Sequence, residues 1–426
     1  MSFDAQTICP QRVAIIGGGI SGLAAAYLLA PNHSVTLFEA APRLGGHART
    51  VLAGQRRDQP VDTGFIVFNY ANYPHLTRMF MDLDVPVKPS DMSFGASVDD
   101  GRVEYALRNL RGLLGQPRNI ARPGFLRMVR DIVRFNARAE AAAVSDDMTI
   151  DDLIADLDLG AWFQRYYLLP ICGAIWSTSP GEIGSFPAKT LVQFFRNHAL
   201  MSAGGQHQWW TVDGGSIEYV RRLERHLRGR GAAIRAGTPV ASVVRNGVES
   251  TVHVANHAPQ TFDQVIFACH SDQALGLLAQ PTRREADVLG AMRYQDNTAV
   301  LHCDMRLMPK RRACWSSWVY NADTSRDTTA IGVTYWMNRL QGIPESDPLF
   351  VTLNPLRDVA PDKIYDSTLF RHPVFDRAAI RAQSALRRMQ GDNNTWFAGA
   401  YTRHGFHEDG FASAVRIARA MDRQFA

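Results

Sequence analysis

Three glycines near the start of the chain, Gly17, Gly19 and Gly22, have the spacing of a turn that can bind phosphate groups. A β-branched run at 13–16 precedes this turn and a helix-forming stretch at 23–30 follows it, which predicts a strand, a glycine turn and a helix. Such a turn lets the backbone approach a pyrophosphate at the N-terminus of the helix. We therefore predict that the three glycines, with Ile20 and Ser21 between them, contact a dinucleotide.

An acidic residue, Glu39, follows the next predicted strand, at 34–38. Glu39 lies 22 residues after Gly17, about where dinucleotide-binding folds place a carboxylate that accepts hydrogen bonds from ribose hydroxyls. The strand, turn, helix, second strand and acid together are a more specific signal than the glycines alone. The sequence thus predicts a bound adenine dinucleotide, with Glu39 and Ala40 beside its ribose.

The segments that follow resemble the superfamily of flavin-containing amine oxidases and phytoene desaturases. The run from Arg43 to His47 is similar to its second glycine motif, and the run from Thr63 to Phe65 is similar to its next flavin contact. A pair of glycines lets the main chain pass close to a flavin, and an arginine can neutralise pyrophosphate charge. The resemblance implies non-covalent FAD. Its implied contacts here are Arg43, Leu44, Gly45, Gly46, Thr63, Gly64 and Phe65.

The C-terminal region resembles the closing motif of the same superfamily. A strand is predicted at 395–399 and a helix at 411–425. In relatives, the N-terminus of this helix faces the flavin, where its amides and dipole stabilise negative charge on the reduced ring. The resemblance implies that Gly399, Gly410, Phe411 and Ala412 contact the flavin. A strand at 238–244 resembles the one that lends backbone to the adenine, which would make Val240 that contact.

The resemblance implies an α/β fold: a discontinuous, Rossmann-like FAD-binding domain with an inserted α+β substrate domain, as in amine oxidases. We expect the FAD-binding domain at 1–75, 205–275 and 385–426. We expect the substrate domain at 76–204 and 276–384.

Several positions depart from the amine oxidases of this superfamily. Ala400 and Tyr401 stand where many relatives have an acid that binds the ribityl chain, and Gly410 stands where amine oxidases have an aromatic residue. The strand predicted at 297–301 lacks the lysine that amine oxidases place near flavin N5. The last cysteine is Cys314, so covalent attachment of flavin through a C-terminal cysteine is excluded. These departures make amine oxidation a less favoured activity.

Four side chains are candidate catalytic residues. His47 follows Gly46 directly and could accept a substrate proton or pack against the flavin. Tyr401, His407 and Glu408 lie just before the last predicted helix. The cluster at 404–409 also contains residues that bind metals, but a loop before a flavin-contacting helix explains it more simply, so we predict no metal.

The segments at 61–69, 73–74 and 89–94 are similar to a bacterial branch that includes flavin desaturases of methylated fatty acyl chains. An aromatic and apolar run at 159–201, which includes Ile175 and Trp176, suits either a core or a tunnel for a long apolar ligand. We therefore expect an FAD-dependent oxidoreductase that dehydrogenates, and so desaturates, a hydrophobic carbon chain by hydride transfer to flavin N5. A fatty acyl lipid is the expected substrate. A flavin-dependent double-bond isomerase, an amine oxidase and a non-catalytic flavin-binding partner protein remain as alternatives.

Residues 102–138 contain nine arginines against Glu104 and Asp131, a local charge of +7 in a chain whose net charge is +5. A basic helix at 125–138 could lie on an anionic bilayer, although a solvated arginine face would look the same in sequence. Its apolar contacts would be Phe125, Met128, Val129, Ile132, Val133 and Phe135.

The composition gives the expected setting of the protein. The overall charge is too dilute to indicate nucleic-acid binding. Five cysteines without ordered spacing fit a reducing cytoplasm. We expect no signal peptide and no membrane-spanning segment, because the N-terminal residues include Asp4 and the sequence has no uncharged apolar run of about 18 residues. We predict a cytoplasmic protein, peripheral on the inner face of the membrane through 102–138, that acts on a hydrophobic small molecule or a phospholipid acyl chain. The oligomeric state stays open.

Overall fold

The computed structural model describes residues 9–145, 147–169, 171–172, 183–197, 207–323 and 332–424. Ile175 and Trp176 of the aromatic run, and Phe425 at the end of the last predicted helix, lie outside the described residues. Most strands of the described residues belong to two large sheets.

The first large sheet, here called the nucleotide sheet, is parallel throughout and has five strands. Residues 13–16 of its central strand are buried, as expected when both faces of a parallel sheet are covered. Its strands come from three distant parts of the chain, so the domain is discontinuous. In spatial order they are Ala233–Arg235, Ser34–Phe38, Arg12–Ile16, Gln264–Phe267 and Thr395–Phe397.

Helices Ile20–Leu29 and His407–Gln424 pack on each other against this sheet. Their contact is close because Gly410 has no side chain: a Cβ there would lie 2.7 Å from the Ser21 hydroxyl oxygen and 3.0 Å from an Ile20 methyl carbon. The last helix begins at His407, four residues before the predicted start. Helix Ile217–Gly229 follows Ser216 and also packs on the first helix.

The second large sheet, here called the substrate-side sheet, has seven strands and is antiparallel except for one parallel pair. In order, its strands are Ile364–Pro373, Tyr294–His302, Phe350–Leu353, Gly332–Trp336, Trp318–Ala322, Phe94–Val98 and Val103–Ala106.

Three smaller sheets and several short helices complete the described residues. The smaller sheets pair Val240–Arg245, Ser250–Val254 and Gln260–Phe262; Thr50–Ala53 and Gln59–Asp62; and Val67–Phe68, Trp209–Val212 and Val87–Ser90. The other α-helices are Pro74–Asp82, Leu110–Leu113, Pro123–Ala142, Ile150–Asp156, Ala161–Phe163, Ala188–Asn197, Ser271–Leu277, Arg283–Gly290, Met337–Leu340 and Arg377–Arg387. A short π-helix spans Gln164–Leu168. Short 3-10 helices span Pro117–Ala121, Met305–Leu307, Arg312–Cys314, Pro361–Lys363, Asp392–Asn394 and Ala400–Thr402. No helix in the described ranges is long and apolar enough to cross a membrane.

The basic segment forms the helix Pro123–Ala142, but half of the apolar side chains expected to meet a bilayer are inside the protein. Phe125, Met128 and Phe135 are fully buried in a core with Phe163, because burial of their apolar surface stabilises the fold. The expectation was therefore wrong for these three residues, whereas Val133 is 65% exposed. Much of the aromatic run joins the same core: Tyr166, Tyr167, Leu168, Ile171, Phe186 and Phe195 are buried.

Candidate active site

The glycine turn at 17–22 is fixed by close backbone contacts. A Cβ at Gly22 would lie 1.8 Å from the Gly17 carbonyl oxygen, and one at Gly17, whose φ is +115°, would lie 2.8 Å from the Ala268 carbonyl. Gly19 is different, since its nearest neighbour would be the Gly46 Cα at 4.0 Å. Gly17, Gly19, Ile20 and Ser21 line one large cavity, whereas Gly22 packs behind the turn. The amides at the start of the first helix therefore meet the cavity, as a diphosphate requires.

The Glu39 carboxylate is held at the edge of the same cavity by two backbone hydrogen bonds. It accepts from the amide of Gly18 at 2.6 Å and from the amide of Ala41 at 2.7 Å. Ala40 and Val240 line the cavity beside it. This arrangement leaves the carboxylate placed where ribose hydroxyls can donate to it.

The second glycine segment runs across the glycine turn. The Gly45 amide donates to the Gly18 carbonyl at 2.8 Å, and a Cβ at Gly46 would lie 3.1 Å from the Gly19 Cα. Gly46 and His47 line the cavity. Leu44 and Gly45 are buried behind the lining, and Arg43 donates to the Gly46 carbonyl at 2.9 Å. Arg43 thus stabilises the conformation of this segment by hydrogen bonding to its backbone.

Thr63, Gly64 and Phe65 also line the cavity. A Cβ at Gly64 would lie 2.1 Å from the His47 carbonyl oxygen, and the Phe65 amide donates to that oxygen at 2.9 Å. The Phe65 ring stacks on His407 with 4.0 Å between ring centroids. His407 lines the cavity and its Nε2 lies 2.7 Å from the Tyr219 hydroxyl.

The residues before the last helix have different roles. Gly399 and Tyr401 line the cavity, while Gly410, Phe411 and Ala412 lie behind the lining, where Phe411 is buried in the core. The helix begins one turn before the predicted position, and this displaces those three residues from the cavity wall.

Glu408 is also placed away from the cavity wall. Its carboxylate accepts from the amides of His75 at 2.9 Å and Leu76 at 3.0 Å, and so caps helix Pro74–Asp82. Burial raises its pKa to about 7. Asp409 accepts from the amides of His404 and Phe406, which explains the acids of the 404–409 cluster without a metal. Among the described residues, no three potential ligands are grouped as a metal site would need.

The Tyr401 hydroxyl is buried, and within the described part of the chain it has no hydrogen-bond partner. Its ring lies against Gly399, where a Cβ would come within 2.1 Å of a ring carbon. Burial raises the pKa of Tyr401 well above its usual value, so the hydroxyl keeps its proton. Tyr401 thus lines the cavity with a buried hydroxyl that has no acceptor among the described residues.

Five histidines line the cavity, and four of them, here called the histidine group, are His47, His270, His372 and His407; the fifth is His404. The His47 ring centroid lies 5.4 Å from that of His372 and 6.1 Å from that of His270. Burial lowers the pKa of His270 and of His372 to about 4, that of His407 to about 3, and that of His47 well below its usual value. All four imidazoles are thus neutral at pH 7. The His47 Nε2 atom is buried and has no partner among the described residues.

Sequence reasoning missed His270 and His372. His270 follows the nucleotide-sheet strand Gln264–Phe267 at its carboxyl end, where ligands of open α/β sheets bind, and that position could have identified it. His372 comes from the substrate-side strand Ile364–Pro373, which reaches the cavity only through the tertiary fold.

The cavity has a volume of about 830 Å³, within the range of sites that hold organic ligands. Beyond the histidine group its walls are apolar and aromatic. This part, here called the apolar end, is lined by Met92, Phe94, Ile171, Trp209, Trp318, Tyr335, Leu353, Phe370, Phe375 and Phe406. Among the described lining residues, Glu39 and Arg371 alone carry a formal charge, and Arg371 pairs with Asp272 at 2.8 Å and Asp296 at 3.2 Å.

Residues 20–422 match the sequence model of a protein family that is described as flavin containing amine oxidoreductase. The chain belongs to this family. The family implies a flavin cofactor, and the predicted resemblance and the prediction of a flavin-dependent oxidoreductase are confirmed at this level.

Curated relatives match this chain over shorter stretches. An L-amino-acid oxidase of Sistrurus catenatus edwardsii is 57% identical over 42 residues, 10% of this chain and 8% of its own length. A coproporphyrinogen III oxidase of Mycobacterium tuberculosis is 30% identical over 189 residues, 41% of this chain and 39% of its own length. The chain thus spans well under half the length of these relatives in the matched regions.

Two solved structures match nearly the whole chain in fold. A CLA-producing fatty acid isomerase from P. acnes has a TM-score of 0.67 at 16% identity and covers 98% of this chain and 99% of its own. Cyclohexylamine oxidase from Brevibacterium oxydans has a TM-score of 0.66 at 15% identity, with the same shares covered. The predicted fold class is confirmed, while the domain boundaries and the individual site residues stay predictions.

The residues that line the cavity fit a flavin nucleotide. The glycine contacts leave a groove that side chains would fill, Glu39 is fixed at one end of it, and the buried Tyr401 hydroxyl has no acceptor among the described residues. Gly17, Gly19 and the first-helix amides would hold the diphosphate, and Gly46 and Gly64 would let backbone lie against the ring system.

Proposed function

We propose that this protein is an FAD-dependent oxidoreductase that dehydrogenates an uncharged hydrophobic carbon chain, a fatty acyl lipid. The lack of charge at the apolar end of the cavity carries this proposal. Beyond Glu39 and the doubly paired Arg371, the described lining offers apolar side chains, neutral histidines and a few polar groups. Such walls stabilise an apolar chain and give no counter-charge to an ionised substrate.

FAD is proposed because Glu39 and Val240 line the cavity where a second nucleotide, with its ribose and adenine, would extend beyond the diphosphate. When bound, the flavin supplies an acceptor for the two electrons and the hydrogen that leave the carbon chain. The protein then has to orient the chain, exclude water and accept the remaining proton.

His47 is the residue we propose as the proton acceptor. It lies between the two parts of the cavity, since it follows Gly46 and its ring stacks on Phe370 with 4.8 Å between centroids. Its buried Nε2 is unused by the described protein atoms, so it can accept a proton at that atom. His372 and His270 are near enough to help carry the proton away from His47.

An amine substrate fits this cavity less well. A protonated amine needs a carboxylate or an aromatic cage, and the described apolar end contains aromatic rings but no acid. The strand Tyr294–His302 also has no lysine. Both observations oppose oxidation of an amine, the activity for which the structurally similar cyclohexylamine oxidase is named.

A double-bond isomerase is the second candidate. The structurally similar fatty acid isomerase supports it, because an uncharged cavity for an acyl chain suits that reaction as well as it suits dehydrogenation. Product mass distinguishes the two, since dehydrogenation removes two hydrogens and isomerisation removes none.

The test is an anaerobic absorbance titration of the purified flavoprotein with phospholipids, free fatty acids and simple amines, followed by mass spectrometry of the lipids. We expect acyl lipids to bleach the flavin band and to lose two hydrogens. Bleaching by amines, with hydrogen peroxide released in air, would instead establish an amine oxidase. A lipid product of unchanged mass with a moved double bond would establish the isomerase.

A further inference from the structure

The outward face of helix Pro123–Ala142 combines exposed apolar and basic side chains. Leu126 is 51% exposed and Val133 is 65% exposed, and their spacing of two helical turns puts both on one face. Arg130 is exposed between them, whereas Arg138, five residues after Val133, is exposed farther round the helix. Glu140, the nearby exposed acid of this helix, pairs with Arg196 at 2.7 Å.

The turns before this helix continue the same composition. Leu110 and Ile120 are more than half exposed, and Leu114 is 40% exposed. Arg108 and Arg111 are exposed among them and, like Arg138, make no ion pair with any described residue. We call this set the basic apolar surface: Leu110, Leu114, Ile120, Leu126, Val133, Arg108, Arg111 and Arg138. Exposed apolar groups collected in one region are typical of an interaction site.

The inner face of the same helix connects this surface to the cavity. Phe125, Met128 and Phe135 pack in a core that also contains Ile171 and Phe375. Ile171 and Phe375 line the apolar end of the cavity. The basic apolar surface therefore covers the core that forms one wall of that end.

We propose that the basic apolar surface docks the protein on a lipid bilayer with anionic headgroups. Arginines that make no ion pair with the described residues complement the negative surface, and the leucines, isoleucine and valine among them can enter the boundary between headgroups and acyl chains. Docking would hold the apolar end of the cavity next to the bilayer. This proposal stands on the exposed residues and does not depend on the proposed function.

The test is sedimentation of the flavoprotein with vesicles of phosphatidylcholine alone or mixed with phosphatidylglycerol. We expect binding to the mixed vesicles at low salt and release at high salt, because screening weakens the attraction. Arg108→Ala, Arg111→Ala and Arg138→Ala together should weaken the partition coefficient roughly 100-fold, at about fivefold for each basic residue near an anionic surface. Leu126→Ser with Val133→Ser should weaken binding further.

Matched controls remove the same residue types elsewhere. Arg283→Ala, Arg387→Ala and Arg388→Ala together should bind vesicles like the wild type, and so should Val248→Ser with Leu369→Ser, since these residues are exposed on other elements. Wild-type protein that ignores anionic vesicles, or surface variants that bind as tightly as the controls, would overturn the proposal. A lipid-free dimer that Leu126→Ser with Val133→Ser dissociates would overturn it too, by assigning the surface to a second copy of the chain.

Discussion

The two parts of the cavity are built from different chemical groups. On the flavin side the wall is largely backbone, because Gly17, Gly19, Gly46 and Gly64 lack side chains there. At the apolar end the wall consists of side chains, many of them from the substrate-side sheet. A backbone wall needs glycines at fixed spacing, whereas a side-chain wall depends on which strands meet in space. The class of cofactor is thus encoded locally, and the class of substrate is encoded by the tertiary fold.

The strongest way to break this comparison is to add one methyl group directly behind the flavin-side wall, where the glycine turn is packed. Gly22→Ala should abolish co-purification of flavin and weaken its affinity more than 100-fold, because the Cβ would lie 1.8 Å from the Gly17 carbonyl oxygen and the turn must move. Flavin fluorescence titration measures this. Gly229→Ala is the matched control, since its Cβ meets nothing within 4 Å. Normal flavin content in Gly22→Ala would contradict the backbone-wall account.

A buried charge tests the apolar end in the same way. Met92→Glu should lower kcat/KM for the acyl substrate about 100-fold, because an isolated carboxylate in an apolar site is costly. Flavin content should stay normal, because Met92 lies at the other end of the cavity. The control is Met81→Glu, at a methionine that is 60% exposed. Equal activity of the two variants would show that the apolar end does not hold the substrate.

The histidine group lies between the two parts and makes stability depend on pH. The pKa of His372 is about 4 when folded and about 6.5 when unfolded, so below pH 6.5 the unfolded chain binds a proton that the folded protein does not. His372 should therefore lower the free energy of unfolding by about 2 kcal/mol between pH 7 and pH 5. The titratable groups beside His372 are His47 and His270, which are themselves neutral at pH 7.

Urea unfolding at both pH values measures this effect. From pH 7 to pH 5, the free energy of unfolding of His372→Gln should fall by about 2 kcal/mol less than that of the wild type. His257→Gln, at an exposed histidine, should retain the wild-type dependence. Identical pH dependence in all three proteins would mean that His372 is not held neutral.

The smallest expected effect concerns Tyr401, a side chain that lines the flavin side of the cavity, where the wall is largely backbone. Tyr401→Phe removes the buried, unused hydroxyl and should weaken flavin binding about tenfold, the effect of leaving one acceptor of a ligand unpaired. Fluorescence titration of the apoprotein measures it, with Tyr70→Phe as the control at an exposed tyrosine. Unchanged affinity would exclude Tyr401 as a flavin contact.

Local patterns in the sequence predicted much of the nucleotide sheet. The strand at 34–38 has the predicted limits, and Glu39 follows it as expected, because spacing and hydrophobic period act within a few residues. The last helix was less predictable. It begins at His407 because Asp409 caps it and Glu408 caps a helix far away in sequence, a contact that no local pattern contains.

The apolar end and the surface were harder to predict for a related reason. Helix Pro123–Ala142 has apolar residues on both faces, and the sequence does not say which face meets the core. Packing assigned Phe125 and Phe135 to the interior and left Leu126 and Val133 outside. His270 and His372 likewise come together only when strands from two sheets meet.

The pairing of strand Thr395–Phe397 with Gln264–Phe267, and the contact of the last helix with the first, have a consequence for synthesis of the protein. A ribosome delivers the glycine turn early, but its partners arrive only after most of the described chain has been translated. The apolar strands of the nascent flavin site therefore stay exposed until the last strand and helix have been synthesised. Contacts between such distant segments also form slowly. We expect chaperone dependence and flavin loading to be linked to the final stage of translation.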